Sequence, residues 1–458
     1  MAKTGTSSTK DLTVGTPWKL IIGFAVPLLL GMLFQQFYSM VDTIIVGRML
    51  GANALAAVGS TGSINFMIVG FCMGICNGFA IPVSQMFGAG DYRALRKYVA
   101  NGAVLAAIFA IVITTAVTLL CRQILQLMNT PSDIIDNAYA YISVIFLGIP
   151  VSILYNQTSA IIRSLGDSKS PLIFLGISSV LNIVLDLLLV RPLGVAGTAW
   201  ATVTSQCVSG VLCLFYMKKK FDILRFQRDD WRLHKRYVMN LCNMGIPMGL
   251  QYSITAIGSV ILQTAVNGLG SLAVASVTAS GKVSMFFCCP FDALGSTMAT
   301  YSGQNVGAKK LERVNSGIKA STVIGSVYSV IAFGVLYLIG REITLLFVDA
   351  QETVILDQAR RMLLTNVAFY IPLALVNIVR FTIQGMGFSR LAVLAGVCEM
   401  IARSLVGFVF VPIFGFAAVC FANPVAWIMA DLFLIPAYLI CSRKLRELFR
   451  ERGEKAAV

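Results

Sequence analysis

The sequence predicts an all-α integral membrane protein with 12 transmembrane helices in two six-helix lobes. Of its 458 residues, 57% are hydrophobic and only 12% are charged, about half the charged share that a soluble domain uses to cover its surface. The mean hydropathy is +0.80. Apolar runs of about 20 residues, the length that crosses a ~30 Å hydrocarbon core, recur from Leu20 to Ile440. The second half of the chain also repeats the first.

The apolar runs define the elements in chain order. We predict spans at 20–46, 61–83, 99–121, 137–162, 171–190, 194–217, 238–266, 276–300, 318–339, 358–381, 391–412 and 416–440. The first six form an N-lobe, 20–217, and the last six a C-lobe, 238–440, with a basic cytoplasmic linker at 218–237 between them. Residues 1–19 lack the apolar core of a signal peptide and are predicted to be a disordered cytoplasmic segment. Residues 441–458 form a basic cytoplasmic tail.

An internal repeat relates the two lobes. Short matches keep the same offset along the chain: Leu50-Gly51 with Leu269-Gly270, 54–58 with 273–277, Gly88-Ala89 with Gly307-Ala308, and Ser170 and Leu172 with Ser389 and Leu391. Because six spans return the chain to its starting side, the second lobe repeats the first in the same orientation. Transporters use such parallel repeats and alternate the access to a central site. A passive channel has no need of the duplication.

The net charge of +15 reflects membrane topology. If the N-terminus is inside the cell, most of the 36 Lys and Arg residues fall in cytoplasmic segments or at the cytoplasmic ends of spans. Arg380 is counted among the residues at these cytoplasmic ends. This bias places both termini in the cytoplasm of a multi-pass cell-membrane protein. We therefore expect the lipid bilayer and small molecules as partners, no nucleic acid, and a monomer.

The sequence predicts no enzyme. The single histidine, His234, lies in the basic linker, and the 11 cysteines fall mostly within apolar runs without metal-ligand spacing. No nucleophile has a base nearby in sequence. We expect no cofactor other than a coupling ion, H⁺ or Na⁺.

Two intramembrane aspartates are the strongest functional candidates. Asp42 lies in the first span and Asp186 in the fifth, where a charged carboxylate costs about 2.5–3.5 kcal/mol unless it has a partner, a proton or a cavity. Gln35, Tyr38 and Asp42 share one helical stripe, and Asn182 and Asp186 share another. Both aspartates lie on the outer side of their span midpoints, by ~13 Å and ~8 Å at ~1.5 Å per residue. Similar depth in one lobe predicts a closed polar cluster.

Such a cluster suits either coupling ion. Two carboxyls in a site of low dielectric can share one proton between them. Carboxylate, amide and hydroxyl oxygens, with Thr202 of the sixth span added, also suit Na⁺ at Asp42 and Asp186. The alternative is that these groups only join helices by hydrogen bonds. Intramembrane acids are functional by default, which favours a role in transport.

The remaining intramembrane acids receive other interpretations. Glu399 and Arg403 stand four residues apart on one helix face, so we predict a structural ion pair. Asp292 follows Pro290 and is expected to satisfy the backbone that proline frees. Asp431 has no partner nearby in sequence and stays unassigned.

The order and spacing of several motifs resemble those of the multidrug and toxic compound extrusion (MATE) family, from about Pro17 to Lys444. They are Gln35, Tyr38 and Asp42 in the first span, SQMFGAGD at Ser84–Asp91, RSLGDSKSP at Arg163–Pro171 and LNIVLD at Leu181–Asp186. The resemblance implies a secondary active exporter, in which two lobes exchange organic cations or drugs for H⁺ or Na⁺ by alternating access.

The resemblance also implies site residues. The cation site of the family's N-lobe carries over onto Asp42, Asn182, Asp186 and Thr202, with Asn156 as a further polar position. Gln35 and Tyr38, beside Asp42, are expected to contact substrate. Some family members carry coupling acids in the seventh and tenth spans, whereas 245–258 and 366–380 hold no carboxylate here. The chain therefore looks closer to the bacterial branch that is coupled through the N-lobe.

A related architecture leaves one alternative open. A flippase for a lipid-linked oligosaccharide would share this fold, but it needs basic residues in its cleft to hold pyrophosphate. Only Lys282 and Arg403 lie deep within predicted spans, and Arg403 is expected to pair with Glu399. Multidrug export is therefore the favoured prediction.

Overall fold

The computed structural model describes residues 10–128 and 130–457, which are helical almost throughout and contain no β-strand. The chain groups into two compact units. Unit 1 comprises the described residues up to Leu12 together with Val26–Ser253, and unit 2 comprises Thr13–Ala25 together with the described residues from Ile254 onward.

The described residues of the first half of the chain form nine α-helices. They are α1 (Pro17–Leu50), α2 (Ala52–Ser60), α3 (Gly62–Ala89), α4 (Tyr92–Leu119), α5 (Cys121–Leu127), α6 (Ile135–Leu147), α7 (Ile149–Ser164), α8 (Lys169–Leu193) and α9 (Val195–Lys220). The apolar core of unit 1 includes Phe79 of α3, Leu95 of α4, Ile142 of α6 and Ile162 of α7, all of them fully buried.

The second half, as far as the structure describes it, forms eight α-helices and one π-helical turn. They are α10 (Lys235–Asn267), α11 (Ser271–Gly307), α12 (Leu311–Thr344), α13 (Thr353–Ala368), α14 (Tyr370–Gly385), α15 (Ser389–Leu405), the π turn Val406–Phe410, α16 (Val411–Phe414) and α17 (Phe416–Ala457). Four of the longest helices in the chain, α10, α11, α12 and α17, lie in this half.

The described helices contain ten that are long and apolar enough to cross a membrane singly, and two bent pairs bring the number to 12 if each pair is one span. The predicted all-α membrane fold is therefore confirmed. The predicted spans 137–162 and 358–381 are both bent, because α6 and α7 meet at 45° and α13 and α14 at 53°. Pro150 and Pro372 stand just after the two breaks, where proline lacks the N–H that a continuous helix would use.

The backbone shows the internal repeat directly. Gly51 and Gly270, which precede α2 and α11, have φ of 85° and 94°. Gly194 and Gly415 have φ and ψ of 59° and −140° and of 57° and −139°. Glycine tolerates positive φ because it has no Cβ. Glycines with nearly the same dihedral angles thus turn the chain before α2 and α11, and again before α9 and α17.

Glycines also allow a close helix crossing within unit 1. A Cβ added to Gly74 of α3 would lie 2.4 Å from the carbonyl oxygen of Met248, and one added to Gly78 would lie 2.5 Å from the Cα of Gly245. Gly245 and Gly249 repeat the four-residue spacing on α10. Small residues at this spacing let two membrane helices approach backbone to backbone.

The basic linker is folded against α4. Asp230, 2% exposed, accepts hydrogen bonds from Arg96 Nε at 3.3 Å and from the backbone N–H of Gln227 at 2.8 Å. Asn101 donates to the carbonyl groups of Asp230 and Arg232 at 3.3 and 3.2 Å. A hydrogen bond from Lys97 lowers the pKa of the exposed Asp229 carboxyl.

Residues near both termini have defined contacts. The predicted disordered segment 1–19 includes residues 1–9, which lie outside the described part. Leu12 is 1% exposed, and Thr13 accepts a hydrogen bond through its carbonyl oxygen from Lys310 Nζ at 3.1 Å. Helix α1 begins at Pro17, and α17 extends through most of the predicted tail.

Candidate cation-coupling site

Asp42 of α1 and Asp186 of α8 meet in unit 1, with their carboxyl groups within hydrogen-bond reach of each other. Asp186 is fully buried and Asp42 is half-buried. Neither carboxyl belongs to an ion pair among the described residues, and Asp42 Oδ1 and both Asp186 oxygens are buried without a donor. Ionised carboxylates only accept hydrogen bonds, so these two groups can bond to each other only when one carries a proton. The geometry therefore suits a shared proton.

Asn182 extends the pair along α8. It lies one helical turn before Asp186, and its side chain is 1% exposed. Both its amide nitrogen and its amide oxygen are buried without a hydrogen-bond partner among the described atoms. An amide beside two carboxyls can donate a hydrogen bond to an ionised carboxylate or accept one from a protonated carboxyl. Its oxygen can also coordinate a cation.

The polar stripe on α1 continues from Asp42 to a more exposed region. The Tyr38 hydroxyl is hydrogen-bonded to the Gln35 side chain and lies close to Asp42. Gln35 is exposed, whereas Tyr38 is half-buried. The stripe therefore connects the carboxyl pair to an accessible surface of unit 1.

The structure adds Tyr141 of α6, which the sequence analysis missed. Its hydroxyl lies close enough to interact electrostatically with both Asp42 and Asp186. A phenol is a natural neighbour of such a pair, since its O–H can donate to a carboxylate. Nothing in the spacing along α6 distinguishes Tyr141 from Tyr139, because the relevant neighbours lie on other helices. The proximity of an acidic pair was the only signal, and it exists only in the folded chain.

Thr202 and Asn156 have other contacts. Thr202 Oγ1 of α9 donates to the carbonyl of Thr198 at 3.0 Å, and Asn156 Nδ2 of α7 donates to the carbonyl of Ser152 at 2.8 Å. Each side chain is thus bonded to its own helix one turn earlier. Their participation in a cation site remains a prediction that the described contacts do not test.

The available ligands limit what a Na⁺ ion could use. Within the described residues, no three His, Cys, Asp or Glu side chains lie close enough together to hold a metal ion. A Na⁺ at Asp42 and Asp186 would therefore need amide, hydroxyl or backbone oxygens to complete its shell, for which Asn182 is the nearest candidate in sequence. A proton needs only the two carboxyls.

Glu399 and Arg403 form an ion pair in unit 2, with Arg403 Nη2 3.2 Å from Glu399 Oε2. The sequence analysis did not foresee a second cation, Arg380 of α14, which donates to Glu399 Oε1. Arg380 is 6% exposed, so the guanidinium that binds Glu399 is itself buried. Sequence reasoning missed the contact because Arg380 and Glu399 belong to different helices.

Comparisons with known proteins agree with this architecture. The model of the MatE family matches residues 27–188 and 247–429. The probable multidrug resistance protein YoeA of Bacillus subtilis is 27% identical to this chain, and the alignment covers 81% of each protein. The probable multidrug resistance protein YpnP of the same organism is 29% identical, over 81% of this chain and 82% of YpnP. A solved outward-facing multidrug resistance transporter of the MATE family superposes with a TM-score of 0.90 at 21% identity, over 97% of this chain and 99% of that one.

Proposed function

Because the chain belongs to the MatE family, we propose that it is a secondary active multidrug exporter that exchanges organic cations or drugs for protons. The observation that carries the choice of the proton is the contact between the carboxyls of Asp42 and Asp186, which requires a proton to become a hydrogen bond. The names of the Bacillus subtilis relatives support drugs as the substrate class.

Competition between a proton and an organic cation for the aspartate pair would couple proton entry to drug export. When Asp42 and Asp186 share a proton, the pair carries less negative charge and has little attraction for an organic cation. Loss of the proton leaves adjacent negative charges in a site of low dielectric, where attraction for a cation is strong. Substrate at Gln35 and Tyr38 would then be held by the ionised pair and released when a proton returns.

The surroundings of the pair favour this exchange. No lysine or arginine neutralises either carboxyl among the described ion pairs, so the charge of the pair depends on what it binds. A permanent salt bridge would instead fix that charge. Asn182, whose amide has no other partner in the described part of the chain, can adapt to both states.

We assign the exporter to the cell membrane with both termini in the cytoplasm. The excess of lysine and arginine in the linker, in the tail and at one set of span ends supports this orientation. The exporter would then move its substrates outward as protons move inward, with access alternating between the two sides of the membrane.

Transport by the purified protein in lipid vesicles tests the proposal. A pH gradient should drive ethidium across the membrane, whereas a Na⁺ gradient of the same size at constant pH should not. Ethidium movement driven by Na⁺ alone would reject the proton. Movement at the full rate without any ion gradient would reject antiport and indicate a channel.

The flippase alternative gains no support from the site. The buried guanidinium groups of Arg380 and Arg403 in unit 2 both bind Glu399, and Lys282, the other basic residue that was predicted to lie deep in a span, is exposed. A lipid pyrophosphate would need cations that are not already paired. Multidrug export is therefore the function that we propose.

A further inference from the structure

A second group of buried charges lies in unit 2. Glu399 accepts from Arg380 of α14 and from Arg403 of its own helix, α15. Asp431 of α17 faces both Arg380 and Glu399. Arg380, Glu399, Arg403 and Asp431 are 6%, 4%, 7% and 8% exposed. We call these four residues the arginine–carboxylate cluster.

The hydrogen bonds in this cluster are distributed unequally between its two acids. Two guanidinium groups bind the single carboxylate of Glu399, whereas Asp431 Oδ1 is buried without a donor. Arg380 Nε and Arg403 Nη1 are likewise buried without an acceptor. If both acids were ionised, two separate ion pairs would satisfy more of these groups. An ionised carboxylate that is buried without a donor is strongly unfavourable, whereas a protonated carboxyl tolerates the same position.

The charge balance of the group also calls for one proton. Asp292 of α11, whose side chain is exposed, also faces Arg380. With Asp431 neutral, the charges of Arg380 and Arg403 are balanced by Glu399 and Asp292. With Asp431 ionised, the group has one negative charge in excess. A single proton, on Asp431 or on Asp292, therefore makes the arrangement electrically neutral, and the lack of a donor at the buried Asp431 Oδ1 favours Asp431.

Among the described residues, the other elements that pack against α17 bring no competing charge to Asp431. The stretch 406–414, which includes the π turn and α16, contains no titratable residue. Arg361 of α13 interacts with Cys420, near the start of α17. Arg380 and Glu399 are thus the charged groups that act on Asp431.

We propose that unit 2 holds a proton-binding site of its own, centred on Asp431 and controlled by Arg380. When the proton leaves Asp431, the uncommitted Nε of Arg380 provides a donor for the new negative charge. Arg380 then divides its hydrogen bonds among carboxyls on α11, α15 and α17. Binding and release of the proton change which of these helices Arg380 joins.

The structure around Arg403 leaves space for its guanidinium and for α15 to move when the protonation of Asp431 changes. A Cβ added to Gly258 of α10 would lie 3.5 Å from Arg403 Nη1, so the glycine leaves space beside the guanidinium. The π turn begins three residues after Arg403, at Val406. Single π turns within helices occur frequently at functional sites.

Infrared spectroscopy of the full chain in lipid tests this site without any transport measurement. A protonated carboxyl has a C=O absorption that ionised carboxylates lack, and exchange into heavy water shifts it. We expect the Asp431→Asn variant to lose one such band relative to the wild type. The variant Asp133→Asn, which changes an exposed aspartate in the turn before α6, should keep the full set of bands. An unchanged spectrum in Asp431→Asn would overturn the proposal.

Two further arms keep the test decisive. If Asp431→Asn does not fold, Asp431→Glu retains a carboxyl and should move the band, and a band that stays in place would contradict the assignment. Replacing K⁺ by Na⁺ at fixed pH should leave the Asp431 band intact, and its disappearance would show that the site binds Na⁺ instead. Because Asp42 and Asp186 are unchanged throughout, this result is independent of whether the proposed antiport is correct.

Discussion

Tyr141 shows how much of the chemistry of the aspartate pair depends on a third helix. The Tyr141→Phe variant removes one hydroxyl beside Asp42 and Asp186 and preserves the ring. Because this hydroxyl interacts electrostatically with both carboxyls, we expect proton-driven ethidium transport to fall severalfold. Tyr139→Phe, on the same helix but 38% exposed, is the matched control and should transport normally. Equal rates in the two variants would exclude Tyr141 from the site.

Glu399 is expected to contribute strongly to stability because it balances two buried guanidiniums. Removing one partner of a buried ion pair costs about 3–5 kcal/mol, so Glu399→Gln should lower the thermal unfolding temperature markedly. Glu312→Gln breaks an exposed pair with Arg446 at 3.3 Å and should cost less than ~1 kcal/mol. Thermal unfolding of both variants in the same lipid or detergent makes the comparison. Similar small shifts would argue against the buried network.

At this scale, the sequence predicts partners on one helix better than partners on different helices. Residues four apart, such as Asn182 and Asp186 or Glu399 and Arg403, share a face by helical geometry alone. The contacts of Tyr141 and Arg380 cross between helices, and no spacing in the sequence encodes them. Similar depth in the membrane is a partial guide, and the positions of Asp42 and Asp186 along their spans predict comparable depths for the two carboxyls.

At the scale of elements, hydropathy predicts the existence of a span but not its straightness. Apolar length identified 137–162 and 358–381 as spans, and each is a bent pair of helices. Pro150 and Pro372 stood in the sequence as signals, but proline in a membrane helix is also compatible with a mild kink. The sequence also did not predict that the linker folds against α4, because its basic composition is typical of an exposed segment.

The crossing of α3 and α10 depends on the absence of side chains. Gly78→Ala places a Cβ 2.5 Å from the Cα of Gly245, a distance that forces the helices apart. We expect a loss of about 1–3 kcal/mol in stability, the usual cost of overpacking, measured as a lower unfolding temperature. Gly176→Ala on α8, where a Cβ would have no atom within 4 Å, provides the control and should not destabilise the protein. A tolerated Gly78→Ala would mean that α3 and α10 separate easily.

For the whole molecule, the distribution of basic residues predicts orientation. Reporters fused at the C-terminus or inserted in the linker near Arg228 should signal a cytoplasmic location, since these segments carry clustered lysine and arginine. Reporters inserted near Asp133 or Asp349, in the turns before α6 and α13, should signal the opposite side. A linker reporter on the outside would reverse the proposed direction of export.

The central claim is that Asp42 and Asp186 bind the proton that drives export, and transport in lipid vesicles tests it most directly. Ethidium uptake driven by an imposed pH gradient should fall at least tenfold in Asp42→Asn and in Asp186→Asn, because an amide cannot release a proton. Asp133→Asn, reconstituted at the same density, should match the wild type. Wild-type rates in both site variants under the proton gradient would contradict the account.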